Sequence, residues 1–509
     1  MPTGQLLAVA TTGPLAAAPA TSVRAANRGR PSAADGTPEQ IHLTWGDDPA
    51  RSVVVSWASP GQAESPRVRI GQRVIPAIER GYAGGLGGKV SWTYHALVDG
   101  LRPGGTYGYA VTADNDRNAA DPFSATFRTA PQGRAAFRFT SFGDLATPNA
   151  RWASSSGQSA YAVGAVETFQ PLFHLLNSDL ADGDPAPAAQ SQVWRDFGNN
   201  IQASAANRPW LPVPGEHGLE YLARYSLPDN GLPDFAGRWY EFRIGTVAFI
   251  CLSGDDVADA DAATGSPPAP PSASRRPRGY SGGAQTRWLE ATLAAARRDS
   301  SIDWIVVGFH QCACSSAAAD SAADGESDLG IRREWLPLFD RYEVDLALCG
   351  HGHGYERSFP LRGIDSADPL RPHPVTTTDS GVFDTSQGTV HLILGCGRDP
   401  GPTGPDASPA TPGSPGSPVA NVTETAAWSA RRDTASGYGV AVFDVNPGTE
   451  AGGQTSITVR YYHAVDADPA QGTPTDDYSL FETFTLVRPR SDGRRWHPKE
   501  PPPPRRATT

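Results

Sequence analysis

Two kinds of hydrophobic patterning divide the chain. From residue 38 to 130, short runs alternate apolar and polar positions: IHLTW, RSVVVSW, RVRI, WTYHALVDGL, TYGYAVTA and SATFRTA. A period of two places the apolar side chains on one face of an extended strand. Turn residues separate the runs at short intervals, so this region is predicted to be an antiparallel all-β sandwich. From residue 135 the runs become solidly apolar: FRFTSFGD, PLFHLLNSD, PWLPVPG, TVAFICLS, DWIVVGFH, VDLALCGH and TVHLILGCG. They alternate with helical candidates, of which SGGAQTRWLEATLAAARRD is the clearest. There Trp288, Leu289, Leu293 and Ala296 form one stripe, with small capping residues before them and Arg297 and Arg298 at the end. Strands alternating with helices predict a layered α/β domain.

The stretches that break the pattern set the expected organisation. Pro/Ser/Ala-rich segments at about 257–279 and 399–430 read as surface insertions. The end, RRWHPKEPPPPRRATT, has no core-forming pattern. The expected division is therefore a disordered leader over 1–37, an all-β domain over 38–130, an α/β domain over 131–487 and a disordered Pro/Arg-rich tail over 488–509. The leader, MPTGQLLAVATTGPLAAAPATSVRAANRGR, resembles the tail of an export signal, although it lacks the basic start such a signal requires. Secretion or display at the cell surface is the expectation it supports.

Composition narrows the function classes. At 509 residues with 39% hydrophobic content, the chain has material for more than one large core. No stretch approaches the roughly 18 unbroken apolar residues of a membrane helix, so no membrane span is expected. A net charge of −11 supplies no basic face, which argues against a nucleic-acid partner. The five cysteines are too sparse for a disulfide scaffold. Cys251, Cys349 and Cys396 sit in or at the end of apolar runs and read as small core residues. Cys312 and Cys314 form a CAC pair beside His310, and a lone pair of this kind reads as structural before it reads as a soft metal site.

The chemistry collects at the ends of the apolar runs. Asp144, Asp179, Glu216, His310, then His351 and His353, each follow a predicted strand. In open α/β sheets ligands bind beyond the carboxyl ends of the strands. Asp, Glu and His are the residue types that hold hard to borderline cations. His351 and His353, spaced i, i+2, point to one side of an extended segment. Any one such residue is most simply a turn or capping group; a series at successive strand ends is not explained that way.

FGDL, LLNSDLAD, PGEH, VVGFHQ and CGHGHGYER occur in the order found in metallophosphoesterases and resemble its purple acid phosphatase branch. HALVDGLRPGGTYGYAV resembles the late strands of a fibronectin type III-like domain, which that branch carries in front of the catalytic one. The resemblance implies a four-layer α/β/β/α sandwich preceded by an all-β fibronectin type III-like sandwich. It also implies two metal ions (iron, zinc or manganese) and a phosphate-ester substrate. Asp144 would bind the first metal, with His353 completing that site, and Asp179 would bridge both. His310, His351 and position 216 would hold the second. Asp182 stands where the family has a tyrosine ligand, and His217 would face the substrate as an acid or charge stabiliser. The oligomeric state is not implied.

Three positions depart from the family pattern: Ser178 precedes Asp179 in place of Gly, Asp182 replaces the tyrosine, and Glu216 replaces an asparagine. Without tyrosinate on ferric iron the protein is expected to be colourless. Two added carboxylates tighten metal binding, raise the pKa of bound water and repel phosphate. The expected function is a binuclear metal-dependent phosphomonoesterase with a retuned site. The alternatives are a non-catalytic metal-binding relative and an extracellular interaction protein that uses the all-β module.

Overall fold

The computed structural model describes residues 5–7, 35–83, 90–145, 159–177, 190–215, 220–258, 279–316, 328–352, 354–364, 371–396, 426–433, 439–464, 478–493 and 496. The two segments expected as insertions lie mostly outside these residues, as do most of the leader and tail.

The N-terminal part is a sandwich of two antiparallel sheets. One has the order Gln5–Leu7, Ile78–Ala83, Val90–Val98, Val53–Ser59, Glu39–Thr44; the other runs Arg73–Pro76, Arg67–Ile70, Thr106–Thr112, Ser124–Arg128. Ile41, Val55, Trp57, Tyr94, Val68, Val111 and Phe127 fill the space between them. The second sheet shows the expected alternation, as in Ser124–Arg128, where Phe127 is buried between exposed neighbours. Val53–Ser59 differs, being buried at every position, because its outer face lies against the following domain. The leader also departs from expectation at one point: Gln5–Leu7 forms an edge strand paired with Gly81–Ala83.

The second part stacks two seven-stranded sheets. In the first, Trp210–Pro212, Phe173–Leu176 and Phe137–Phe142 lie side by side in parallel, followed by Gly439–Asn446, Gln454–Ala464, Tyr478–Pro489 and Val382–Asp384. In the second the order is Tyr240–Ile244, Val247–Cys251, Trp304–Phe309, Leu346–Cys349, Val390–Leu394, Tyr355–Ser358, Ser429–Asp433. Aromatic side chains bind the two sheets together. Phe139 stacks on Phe443 at 4.3 Å and meets Phe249 of the facing sheet edge-on at 5.1 Å. Helices Ser159–Phe169 and Gln190–Ala205 pack with the first sheet, while Ala284–Arg298, Leu329–Glu334 and Leu336–Tyr342 pack with the second. This is the four-layer α/β/β/α arrangement.

Three differences from the sequence reading have clear causes. In Ala284–Arg298 the buried stripe includes Gln285 in place of Trp288, which is half-buried. The Gln285 amide is satisfied by both backbone groups of Ser253, so its burial costs little. The strands Gly439–Asn446, Gln454–Ala464 and Tyr478–Pro489 were not anticipated, though they supply a large share of the first sheet. Finally, order extends past the expected limit at residue 487. Arg488 is buried and paired with Asp345 and Glu343, Arg490 is buried, and Trp496 stacks on Tyr342 at 5.7 Å.

All five cysteines are buried and unbridged. Burial pushes the thiols of Cys251 and Cys396 up to about 12, so they pack as small apolar groups. No helix among the described residues is long and apolar enough to cross a membrane.

Candidate metal centre

Five strands end at one level. In the first sheet Phe142, Leu176 and Pro212 are in register across three adjacent parallel strands. In the second sheet Phe309 is in register with Cys349. The chain leaves these ends as Gly143–Asp144, Asn177, Val213, His310 and Gly350–His351. Backbone hydrogen bonds fix the exits to one another: Asn177 N–H donates to Phe142 O at 2.8 Å, Val213 N–H to Leu176 O at 2.8 Å, and Gly350 N–H to His310 O at 3.1 Å.

Three of the predicted ligands lie among the described residues, and they meet. The His351 backbone N–H donates to Asp144 Oδ2 at 2.9 Å, a contact between residues 207 apart in sequence. The His310 and His351 rings sit 5.1 Å apart at 84°. Asp144 and His310 are buried, and His351 is half-buried.

The backbone is distorted to achieve this. Asp144 and His351 both have left-handed φ values, 57° and 63°. Such conformations cost on the order of 1–3 kcal/mol each for a residue with a Cβ and persist only where the surroundings fix them. Glycines make room. A methyl group at Gly350 would lie 2.5 Å from Asp144 Oδ2, 2.5 Å from Asn177 O and 3.3 Å from His310 Nδ1; one at Gly395 would lie 2.9 Å from Asp144 Oδ2. Only hydrogen fits at either position.

The sequence reading missed Asn177 and Ser141. Asn177 Nδ2 donates to Ser141 Oγ at 2.8 Å, and Ser141 Oγ donates to Leu175 O at 2.7 Å. Asn177 Oδ1 is buried without a hydrogen-bond partner among the described residues. For Asn177 the usable signal was the same one that pointed to the ligands, a polar residue immediately after an apolar run; Ser141 lies inside its strand and carried no such signal.

Carboxylate and imidazole are donor types that suit a borderline divalent or a trivalent cation, and Asp144, His310 and His351 supply them at neighbouring strand ends. Among the described residues no group of three His, Cys, Asp or Glu side chains is placed to hold one alone. Asp179, Asp182, Glu216, His217 and His353 lie outside the described residues.

Residues 38–130 match the profile of the purple acid phosphatase N-terminal domain. The chain is similar over nearly its whole length to the protein Rv2577 of Mycobacterium tuberculosis, itself uncharacterized. The two are 38% identical over 490 residues, which is 88% of this chain and 87% of the relative. It is also similar to the Fe(3+)-Zn(2+) purple acid phosphatase 12 of Arabidopsis thaliana, at 22% identity over 64% of this chain and 66% of that one. Among solved structures, purple acid phosphatase PPD1 from yellow lupin seeds superposes with a TM-score of 0.60 at 16% identity. That likeness covers 90% of this chain and 75% of the lupin one, and at such identity it speaks for the fold.

Proposed function

This chain belongs to the purple acid phosphatase-like metallophosphoesterases, and from that premise we propose that it hydrolyses phosphate monoesters at a two-metal centre with an altered ligand set. The observation that carries the reading is the meeting of Asp144, His310 and His351 at the strand ends, held by the His351–Asp144 hydrogen bond. We take residues 38–130 as the N-terminal module and 131–487 as the body of the hydrolase domain.

In this reading Asp144 and His353 would hold one metal, His310, His351 and Glu216 would hold the other, and Asp179 would serve both. Asp182 takes the place of the family's tyrosine. The Arabidopsis relative is named for iron and zinc, and manganese suits the same donors. When bound, the cations would lower the pKa of a water molecule and neutralise charge on the phosphoryl oxygens.

The protein's own groups account for the rest. The His351 N–H fixes the Asp144 carboxylate through Oδ2. Gly350 and Gly395 let the strand ends close around that carboxylate without bulk. His217 holds, on a ring nitrogen, the proton that the leaving alkoxide takes, or steadies an equatorial oxygen. Glu216 adds negative charge where the family has a neutral amide, which moves the working range away from strong acid, and Asp182 removes the chromophore of a tyrosinate ligand.

Metal analysis of the purified full chain, with aryl phosphate hydrolysis followed across pH, tests this. The expected result is two metals per chain and turnover that disappears in His351→Ala. Two metals without turnover would instead identify a binding-only relative. Absence of bound metal under every loading condition would overturn the reading.

A further inference from the structure

Cys312, the first cysteine of the CAC pair after His310, is buried with its sulfur on the neighbouring strand exit: its Sγ donates to Gly350 O at 3.0 Å. Gly350 directly precedes His351. A side chain at the exit of Trp304–Phe309 is therefore bonded to the turn at the exit of Leu346–Cys349. The same glycine returns the contact from its other end, its N–H donating to His310 O at 3.1 Å. Two bonds run between the two histidine-bearing exits, one to each side of Gly350.

The turn they hold would not hold itself. His351 has a φ of 63°, a conformation that a residue with a Cβ keeps only where its surroundings over-determine it. Its N–H is bonded to Asp144 Oδ2 at 2.9 Å, and Gly352 N–H closes back on Gly350 O at 2.7 Å. The Gly352 bond spans two residues, so it tightens the turn without setting where the turn sits. The thiol supplies a bond to the same carbonyl oxygen from outside, and that oxygen has lone pairs for both donors.

Cys312 can act in this way because its own loop is fixed from behind. Asp328 N–H, at the start of the helix Leu329–Glu334, donates to Cys312 O at 2.7 Å. Arg332 Nε of that helix donates to Ala313 O at 2.6 Å. Ser316 N–H donates to the Glu356 carboxylate of the strand Tyr355–Ser358 at 3.0 Å. The loop after His310 is a bracket anchored to a helix and to the sheet, with the thiol pointing from it to the His351 turn.

We infer that Cys312 is a positioning residue for His351, tying the His310 and His351 exits into one unit through Gly350. The inference rests on the preceding reading that these two histidines serve a metal centre. Groups that orient metal ligands from outside the coordination sphere typically change metal affinity or activity by about 10–100-fold when removed.

The test uses the full chain with Cys312→Ala, Cys312→Ser and, as a control, Cys314→Ala. Alanine and serine leave nearly the same space, so the difference between them isolates the donor. Cys314 is buried on the same loop, and its truncation removes the same volume two residues away. Each variant is measured for hydrogen exchange at the His351 amide in metal-stripped protein, for manganese(II) affinity by titration, for kcat and KM on an aryl phosphate, and for melting temperature. Cys312→Ala is expected to speed exchange at His351, to weaken manganese binding about tenfold and to lower kcat about tenfold with little change in KM. Cys312→Ser keeps a donor toward Gly350 O and is expected to recover most of each. Cys314→Ala is expected to lower the melting temperature alone.

Wild-type exchange and manganese affinity in Cys312→Ala would overturn the inference. So would equal losses in the alanine and serine variants, or the same losses in Cys314→Ala, since either would show packing alone at work. A wild-type chain that binds manganese without turnover removes the enzymatic reading only, and the affinities of the variants then decide the role of Cys312. A wild-type chain with neither property removes the metallohydrolase reading, and exchange at His351 decides whether the thiol holds the turn.

Discussion

Acidification from pH 6.5 to 4.5 is expected to weaken the junction between the two domains, and two histidines carry most of that effect. His42 and His95 are buried in the junction. Burial, with Arg224 beside the first and Arg80 beside the second, lowers the His42 pKa to about 4 and the His95 pKa to about 3. Both His42 ring nitrogens face carbonyl oxygens, Gln40 O at 2.8 Å and Arg224 O at 3.1 Å, so a neutral ring donates to only one of them. His95 is better matched, with Ser56 Oγ at 2.8 Å from Nδ1 and Ala223 O at the other nitrogen.

The sign follows from where the protons go. In the unfolded chain each ring titrates near 6.5, so below that pH the unfolded state binds protons that the fold refuses. Stability is therefore fully present above 6.5 and is lost as pH falls toward 4. At pH 5.5 the two rings together give a slope of about 2.5 kcal/mol per pH unit, and the loss by pH 4.5 is about 5 kcal/mol. That is comparable to the whole stability of many domains. Urea unfolding at several pH values, followed by tryptophan fluorescence, measures it, with Trp57 and Trp194 lining the junction as reporters. His174 and His391, also held neutral by burial, add to the slope of both proteins, so the variant His42→Gln/His95→Gln should fall below wild type by most of this amount. Equal slopes in wild type and variant between pH 6.5 and 4.5 would refute the reasoning. The same weakening opposes strongly acidic catalysis, in keeping with the more neutral working range expected of the Asp182/Glu216 site.

Other substitutions probe separate parts of the structure. Asp345 accepts from Arg297 at 2.5 Å, Thr385 at 2.5 Å and the Ile305 N–H at 2.8 Å, and also pairs with Arg488. Asp345→Ala strands two buried guanidinium groups and is expected to cost about 3–5 kcal/mol in denaturant unfolding. Phe139→Ala removes the ring shared by Phe443, Phe173 and Phe249 and should cost about 3–5 kcal/mol. Gly350→Ala places a methyl 2.5 Å from Asp144 Oδ2; bound metal measured by elemental analysis is expected to fall sharply, with a smaller change in melting temperature. Asp182→Tyr with Glu216→Asn should yield a coloured, more acid-active protein, read by visible absorption and a pH–rate profile. An unchanged spectrum and profile would remove both residues from the coordination sphere.

The strands that read most clearly in the sequence are those whose environment is uniform. Trp304–Phe309 and Leu346–Cys349 are buried at every position, and their continuous apolar runs announce it. Tyr478–Pro489 mixes half-buried and buried positions, because one part pairs deep in the sheet and the other lies near its edge. Its pattern was correspondingly weak. Arg488 carried a misleading signal, since a charged residue near a polar terminus reads as tail until Asp345 and Glu343 appear beside it.

Residue types and their order along the chain were enough to reveal an all-β module, a layered α/β domain and a series of potential ligands at strand ends. These features are local: periodicity, run length and the polar residue that closes a run belong to neighbouring positions. The left-handed backbone at Asp144 and His351, the hydrogen bond that joins them, the glycines that admit the approach and the domain junction built on carbonyl caps required the folded chain. Each depends on groups remote in sequence being forced together by sheet register and core packing, and no local pattern encodes which distant partner will arrive.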